Sequence, residues 1–230
     1  MELSKRLEAV ARLVTKNKRV ADIGCDHGYV SIYLIREGIA TKVIAMDVNK
    51  GPLEKAKLNM MQSGYEEVIE TRLSDGAKEL QGGEVDAIIC AGMGGRLMVR
   101  ILEDAHNRNL TFDELILQPQ SELFLVRQYV RMHGYRIVAE DMVLEDGKYY
   151  PMFRACKVEN EVAGDLLSDY FGPCLLHEKH KVLEDFLQKE YLKYSEIVDR
   201  MTLDSARQVK RNQEIKQYLE QIKEALSFYE

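Results

Sequence analysis

The chain has 230 residues, of which 46% are apolar, and a formal net charge of −6. This length and apolar content allow one sizeable core with room for a small second module. The acidic balance argues only weakly against a nucleic-acid partner, because binding depends on local patches. The sequence contains no apolar run of the roughly 18 residues that a membrane span needs, and no apolar export segment at its start. The four cysteines are scattered, as is typical of reduced thiols, and we expect a soluble, cytoplasmic protein.

Strands and helices alternate along the first two thirds of the chain. Apolar residues at helical spacing predict an opening helix over 3–14. The predicted strands cover 19–23, 42–46, 68–73, 85–90, 114–117, 136–144 and 149–158, and the helices between them cover 29–37, 53–63, a segment ending near 104, and 122–132. The last two strands flank Glu145-Asp-Gly147, which has hairpin turn chemistry. This order predicts an α/β fold with a seven-stranded doubly wound sheet, parallel except at one edge.

The pattern changes after about residue 164. Two apolar stripes at helical spacing cover 182–201 and 206–226, and Ser205 with Gln208 predicts a capping box at the second stripe. These stripes predict an antiparallel, coiled-coil-like α-helical hairpin. We therefore divide the chain into an α/β domain over 1–160 and a helical domain over 161–230.

The first predicted strand ends in a glycine-containing turn, Asp22-Ile-Gly24-Cys25-Asp26-His27-Gly28. Cofactor sites of open parallel sheets lie at the carboxyl ends of the strands. The dinucleotide fingerprint G-x-G-x-x-G needs a second glycine where this chain has Asp26, so a nicotinamide cofactor is disfavoured. S-adenosylmethionine has no pyrophosphate, and it needs a tight glycine turn with a carboxylate near its positive charge. The turn therefore favours S-adenosylmethionine, and an ordinary strand-to-helix turn is the alternative.

Polar residues also follow the second and third strands. Asp47 lies 25 residues beyond Asp22, where a carboxylate binds both ribose hydroxyls, with Val48 next to it. An N-cap role for Asp47 is the alternative. After the third strand, Ser74-Asp75-Gly76 supplies a short polar side chain to the adenine amine of the cofactor, or forms only a capped turn.

Glycines and amides follow the fourth and fifth strands. The segment Ala91-Gly92-Met93-Gly94-Gly95 exposes backbone to a flat ligand, or is merely a flexible loop. Gln118-Pro119-Gln120 holds two amides that can bind a base edge, or is a polar turn. Many amino-directed methyltransferases carry an Asn/Asp-Pro-Pro-Tyr/Phe motif after the fourth strand, and this chain lacks it.

Two further features lie outside these turns. His177-Glu-Lys-His180 resembles a zinc motif, but its histidines stand at i and i+3 whereas the zincin pattern needs i and i+4. We predict no metal site. Residues 1–19 hold six basic and two acidic side chains, a net +4, and residues 205–216 hold four and one, a net +3. These segments are either solvated helix faces or phosphate contacts.

Three motifs taken in order, at 22–29, 91–95 and 118–120, resemble those of the bacterial tRNA adenine-N1 methyltransferases called TrmK. The opening segment Ser4-Lys-Arg-Leu-Glu-Ala-Val10 is similar too, and the resemblance covers essentially the whole chain. It implies a class I, Rossmann-like methyltransferase domain and a helical C-terminal domain that helps to hold tRNA. It also implies methyl transfer from S-adenosylmethionine to N1 of adenine 22 in tRNA.

This activity gives the candidate residues their expected roles. Asp26 is the first candidate for stabilising the cationic product base, and His27 is the second. The alternative for both residues is a role in cofactor binding. The expected cofactor contacts are Asp22, Gly24, Cys25, Gly28, Asp47, Val48, Ser74, Asp75, Gly76, Ala91, Gly92 and Met93. The expected tRNA contacts are Gly94, Gly95, Arg96, Gln118, Pro119, Gln120, Lys5, Arg6, Arg207 and Arg211. The alternatives are a small-molecule methyltransferase and a non-enzymatic S-adenosylmethionine-binding module, and we expect a monomer.

Overall fold

The computed structural model describes residues 3–160, 162–202 and 205–230. The chain divides into two compact units, Met1–Gly164 and Asp165–Glu230. None of the described helices combines the length and the apolar composition that crossing a bilayer requires.

Seven strands, counted over the described residues, form one sheet in the first unit in the order β3-β2-β1-β4-β5-β7-β6. β1 to β5 pair in parallel, and β7 runs antiparallel to both of its neighbours, β5 and β6. This arrangement confirms the predicted doubly wound α/β sheet with an antiparallel edge. The strands are β1 Lys18–Ile23, β2 Ala40–Asp47, β3 Ile69–Leu73, β4 Ala87–Met93, β5 Glu114–Pro119, β6 Tyr135–Glu145 and β7 Lys148–Lys157.

Helices cover both faces of this sheet. Buried residues of α1, α2 and α3 pack on one face, and those of α4 and α5 pack on the other. The central strand β4 carries no polar side chain because both faces of the sheet are covered there. The helices of this unit are α1 Lys5–Arg12, α2 Tyr29–Arg36, α3 Lys50–Ser63, α4 Gly95–Asn107 and α5 Leu123–Met132.

Several element bounds differ from the predicted ones. β4 continues through Gly92 to Met93 because its parallel pairing with β5 extends past a bulge, so the predicted glycine loop begins within a strand. α3 begins at Lys50, ahead of Pro52, which lies in the first turn where its missing N–H has no helical acceptor to lose. The predicted hairpin is present, and Asp146 and Gly147 both have positive φ, as a type I′ turn requires.

The second unit contains the two predicted long helices, α8 Lys181–Arg200 and α9 Ala206–Ser227. The Tyr229 hydroxyl near the end of α9 donates to the His180 carbonyl before α8, so the two helices are antiparallel. Two short helices, α6 Leu166–Phe171 and α7 Pro173–His177, were not predicted because segments of one or two turns carry too little periodicity.

The predicted capping box at α9 is formed on one side only. The Ser205 hydroxyl accepts from the N–H of Gln208 at 3.3 Å. The Gln208 side chain, however, accepts from the Ser205 hydroxyl and donates to the Thr202 hydroxyl, whereas a capping box would use it to accept the Ser205 N–H. The hydroxyls of Ser205 and Thr202 therefore bind the Gln208 side-chain amide in place of the Ser205 N–H.

Candidate active site

A cavity of about 310 Å³ lies at the carboxyl ends of β1 and β4, where the strand order reverses. Open α/β sheets bind ligands at this switch point. We call it the switch-point cavity. It is lined by Arg6, Leu7, Asp22, Gly24, Cys25, Asp26, His27, Tyr29, Val30, Ala91, Gly92 and Gln120.

The turn after β1 has a backbone that depends on glycine. Gly24 has a φ of 78° and donates its N–H to the Met46 carbonyl at 2.8 Å. Gly28 has a φ of 72°, and a Cβ there would lie 2.6 Å from Cε of Met60. Glycine at these positions therefore lets the chain reverse tightly and lets α3 approach the start of α2.

Asp22 is the buried carboxylate of the switch-point cavity, with only 5% of the residue exposed. Its Oδ2 accepts a hydrogen bond from the Ser31 hydroxyl at 2.7 Å. Burial raises its pKa to about 6, and the charge of Asp47 adds to this rise, whereas the hydrogen bonds from Ser31 oppose it. At neutral pH the cavity thus contains a poorly solvated negative charge that favours a cationic partner.

Asp47 lies at the end of β2 and connects two turns. It is buried, and its carboxylate accepts the N–H of Asp26 at 3.3 Å and the N–H of Asn49 at 2.8 Å. The N-cap residue of α3 is Asn49, two residues further along. Asp47 is not among the residues that line the switch-point cavity, although it contacts the turn that does.

The two candidate catalytic residues lie together at the exposed side of this cavity. The Asp26 side chain is 71% exposed, and its Oδ1 lies 3.5 Å from Nε2 of His27. The His27 ring stacks on Tyr29 with centroids 5.6 Å apart, and the Asn59 amide donates to the His27 carbonyl. The ring is therefore held between the turn and α2 beside the Asp26 carboxylate.

Gln118 and Gln120 lie in different environments. Gln118 is fully buried, and its Oε1 accepts from Nη1 of Arg6 at 2.8 Å and from the N–H of Gly92 at 3.1 Å, while Nε2 donates to the Pro119 carbonyl. Both ends of its amide are thus engaged within the protein. Gln120 is exposed and lines the switch-point cavity.

The Ser74-Asp75-Gly76 segment forms a capped turn outside the lining of the cavity. The Ser74 hydroxyl donates to the Gly76 carbonyl at 2.8 Å and accepts the N–H of Glu79 at 3.2 Å. Asp75 forms ion pairs with Lys78 and Arg100, which lower its pKa. Near this turn, Val48 follows Asp47 and is 59% exposed, so it offers an apolar surface beside the end of β2.

The first residue of α4, Gly95, is a packing position. A Cβ on Gly95 would lie 2.4 Å from the Ser121 carbonyl oxygen, and Gly94 is the N-cap residue of α4. Met93 belongs to β4 and reaches towards Gly24. Arg96 is largely exposed and pairs with Glu122 at 2.9 Å.

The basic candidates lie on helices of both units. Lys5 is exposed on α1, and its backbone N–H donates to Glu145. Arg207 and Arg211 are exposed on α9 in the second unit, where Arg211 pairs with Glu214. Among the described residues, no cluster of three or more histidines, cysteines and acids is able to hold a metal ion.

Three residues that line the cavity were not predicted from the sequence, namely Leu7, Tyr29 and Val30. Tyr29 directly follows the glycine turn, so its position next to the motif was a usable indication. Leu7 belongs to α1, and no local pattern shows that this helix reaches the carboxyl ends of the strands. The cysteine of the turn, Cys25, is buried, which raises its pKa and keeps the thiol protonated.

Comparison with known proteins agrees with this geometry. A family model described as a methyltransferase domain matches residues 3–153. A tRNA (adenine(22)-N(1))-methyltransferase of Bacillus subtilis is 35% identical over 193 residues, which cover 82% of this chain and 80% of that protein. The chain belongs to the TrmK family. The resemblance predicted from the three motifs is thereby confirmed.

Solved structures of the TrmK family resemble this chain over almost its whole length. The crystal structure of B. subtilis TrmK has a TM-score of 0.88 and 31% identity, covering 98% of this chain and 99% of that one. TrmK of M. capricolum, in complex with S-adenosyl-homocysteine, has a TM-score of 0.87 and 25% identity, covering 99% of each chain. The fold of both units is therefore that of a family member.

Proposed function

We propose that this protein transfers the methyl group of S-adenosylmethionine to N1 of adenine 22 in tRNA. The observation that carries the proposal is the buried carboxylate of Asp22 in a cavity at the sheet switch point of a TrmK-family chain. The cavity is the proposed cofactor site, and the substrate is inferred from membership of the family.

The residues of the switch-point cavity fit S-adenosylmethionine. Its volume of about 310 Å³ reaches the lower end of the range for small-molecule sites, roughly 300–1,000 Å³. Asp22 offers a charge partner for the ammonium group of the methionine part, and the positive φ of Gly24 turns backbone towards the ligand. Asp47 would hold the ribose, and the exposed Val48 would pack on the adenine ring of the cofactor beside the turn at Ser74–Gly76.

The chemistry places few demands on acid–base groups. Adenine N1 has a free lone pair at neutral pH, so no base has to act before attack. S-adenosylmethionine supplies a methyl group on a sulfonium, so the N1–carbon bond forms as the carbon–sulfur bond breaks and the positive charge moves to the adenine. The chain has to align the two partners and exclude water.

Asp26 is the residue we assign to the developing charge. Its carboxylate lies at the exposed side of the switch-point cavity, where an incoming base would meet it. A carboxylate close to the base stabilises the cationic product more than the neutral reactant, which lowers the barrier. His27 restrains Asp26 through their contact and is the second candidate.

The target adenine has to leave its stack before it reaches the cavity, at a cost of a few kcal/mol. The segment Gly92–Gly95 and the Gln120 amide would form its pocket, with the buried Gln118 and Pro119 as their support. Arg96, Lys5, Arg207 and Arg211 would contact phosphates. We further propose a methyltransferase domain over 1–160 and a tRNA-holding helical domain over 161–230, acting as a cytoplasmic monomer without metal.

A labelling experiment tests this function. The protein is incubated with methyl-labelled S-adenosylmethionine and unmodified tRNA, and the digested nucleosides are separated. The expected label is in 1-methyladenosine, and a tRNA with guanine at position 22 should remain unlabelled. Label in another nucleoside, or equal labelling of both tRNAs, would remove adenine 22 as the target.

A further inference from the structure

Glu122 has a backbone conformation that its own helix does not explain. It is the N-cap residue of α5 and lies in the left-handed region, with a φ of 51° and a ψ of 42°, and its side chain does not cap α5. A residue with a Cβ is strained in this region, and glycine, asparagine or aspartate is its usual occupant. Such strained residues persist where their surroundings hold them, and they cluster at functional sites.

The Glu122 side chain reaches across to the start of α4. Its Oε1 accepts from Nε of Arg96 at 2.9 Å, and its Oε2 accepts the N–H of Arg96 at 3.4 Å. The Ser121 hydroxyl donates to the same Oε2 at 2.7 Å and accepts the N–H of Gly95 at 3.3 Å. These two N–H groups lie in the first turn of α4, where they have no acceptor within the helix. The N-cap residue Gly94 has no side chain, so Ser121 and Glu122 cap α4 from the neighbouring segment.

We call this contact the Ser121–Glu122 clamp, and close backbone packing accompanies it. A Cβ on Gly95 would lie 2.4 Å from the Ser121 carbonyl oxygen and 3.0 Å from that of Glu122. On the other side of the clamp, Gln120 donates its N–H to the Met93 carbonyl at 2.9 Å. The start of α4 is therefore fixed against the segment that follows β5.

The clamp contributes little to the stability of the fold. The side chains of Arg96 and Glu122 are 83% and 37% exposed, and exposed ion pairs add little to the free energy of unfolding. The hydrogen bond from Ser121, followed by those from Arg96, lowers the pKa of Glu122 and keeps its carboxylate charged. So small a gain does not account for a strained backbone, which points to a role in the adjacent site.

We propose that Glu122 is a positioning residue for the target base, because the Ser121–Glu122 clamp sets the spacing between the segment Gly92–Gly95 and Gln120. This inference rests on the proposed function, in which these two segments form the adenine pocket. Glu122 acts through them and does not touch the base itself.

The clamp is separate from the contacts that shape the switch-point cavity. Gln120 lines this cavity, whereas Ser121 and Glu122 are not among its lining residues. The N–H of Gly92 is held independently, because it donates to the buried Gln118 side chain. Loss of the clamp should therefore displace the base and leave the cofactor in place.

Glu122→Gly tests the proposal, because it removes the carboxylate and also relieves the positive φ. Its urea midpoint should equal or exceed that of the wild type. Its kcat on tRNA should fall by about 10- to 100-fold, because a displaced base loses its alignment with the methyl group, while the Kd of S-adenosylmethionine should stay within about 2-fold. Glu122→Gln keeps one accepting oxygen and should have an intermediate kcat.

Hydrogen–deuterium exchange measures the clamp without any activity. The backbone N–H groups of Gly95 and Arg96 should exchange at least about 10-fold faster in Glu122→Gly. Asn109→Gly is the matched control, because Asn109 is exposed, lies just beyond the other end of α4 and has a φ of 57°. It places the same residue at a positive φ away from the clamp and should change neither kcat nor exchange.

Several results would overturn the inference. A Glu122→Gly variant with wild-type kcat, or with unchanged exchange at Gly95 and Arg96, would remove the positioning role. Parallel losses of stability and kcat would show a purely structural role, and a weakened cofactor Kd would assign the clamp to the cofactor site. A wild type that methylates no tRNA would contradict the proposed function and with it the role towards the base, whereas the exchange rates would still show whether Glu122 holds α4.

Discussion

The substitution Asp22→Asn is expected to separate stability from cofactor binding. Asp22 is buried, and burial raises its pKa from 3.8 to about 6. An asparagine has nearly the same shape, still accepts the Ser31 hydroxyl and carries no charge. The variant therefore removes the cost of a buried carboxylate and also removes the proposed partner of the cofactor ammonium.

The size of the stability gain follows from the two pKa values. Between pH 4 and 6 the folded carboxyl retains a proton that the unfolded chain has lost, so this group destabilises the wild type increasingly as pH rises. The difference amounts to about 3 kcal/mol at pH 8 and about half of that at pH 5. Asp22→Asn should raise the free energy of unfolding by up to these amounts.

Urea denaturation at pH 8 and pH 5 measures the gain, and titration calorimetry measures the Kd of S-adenosylmethionine. We expect the Kd at pH 8 to rise by about 100-fold, the value of a buried charge-assisted hydrogen bond. Asp26→Asn, in the same turn but exposed, should change the unfolding free energy by less than about 0.5 kcal/mol. An Asp22→Asn variant that is less stable at both pH values, or that binds the cofactor normally, would refute the reasoning.

Three further predictions concern catalysis, packing and tRNA. Asp26 has a positive φ of 51°, which asparagine tolerates, so Asp26→Asn should fold normally. The variant should lower kcat by at least about 10-fold with little change in the Kd of the cofactor. Equal losses in kcat and in cofactor affinity would reassign Asp26 to cofactor binding. Gly28→Ala should lower the free energy of unfolding by about 2–4 kcal/mol in urea denaturation, because of its positive φ and its contact with Met60. Gly38→Ala, with a φ of 63° and no atom within 4 Å, should lower it by about 1 kcal/mol. Equal losses would show that the Met60 contact is unimportant. Neutralising Lys5, Arg207 and Arg211 together should weaken tRNA binding. Filter binding over a series of salt concentrations should give a shallower slope of log K against log salt concentration, by the equivalent of up to about three phosphate contacts. An unchanged slope would exclude these residues as phosphate contacts.

The glycine turn after β1 was predictable because its determinants are local. A short apolar strand, a glycine turn and a helix follow one another within about fifteen residues, and the positive φ values of Gly24 and Gly28 confirm why glycine is needed there. The doubly wound sheet with its antiparallel edge followed from the alternation of strands and helices together with the hairpin turn at 146–147. These features depend on backbone geometry and period, which the sequence displays directly.

The surroundings of the site were not predictable in the same way. Arg6 reaches the switch-point cavity through a hydrogen bond to a residue 112 positions away, and no local pattern encodes that contact. Gln118 and Gln120 are equivalent by sequence pattern, but Gln118 is buried because β5 continues through it to Pro119. The Ser74 hydroxyl forms hydrogen bonds with backbone groups of its own turn. Sequence spacing does not show whether such a hydroxyl binds neighbouring backbone or a ligand.

The central claim is methylation at N1 of adenine 22, and reverse transcription tests it most directly. A methyl group on N1 blocks Watson–Crick pairing, so primer extension on tRNA treated with the protein and S-adenosylmethionine should stop at position 23, one nucleotide before the modified base. The stop should require S-adenosylmethionine and should be lost at limiting cofactor in Asp22→Asn. Full-length extension through position 22 by the wild type, or a stop at another adenine, would contradict the account.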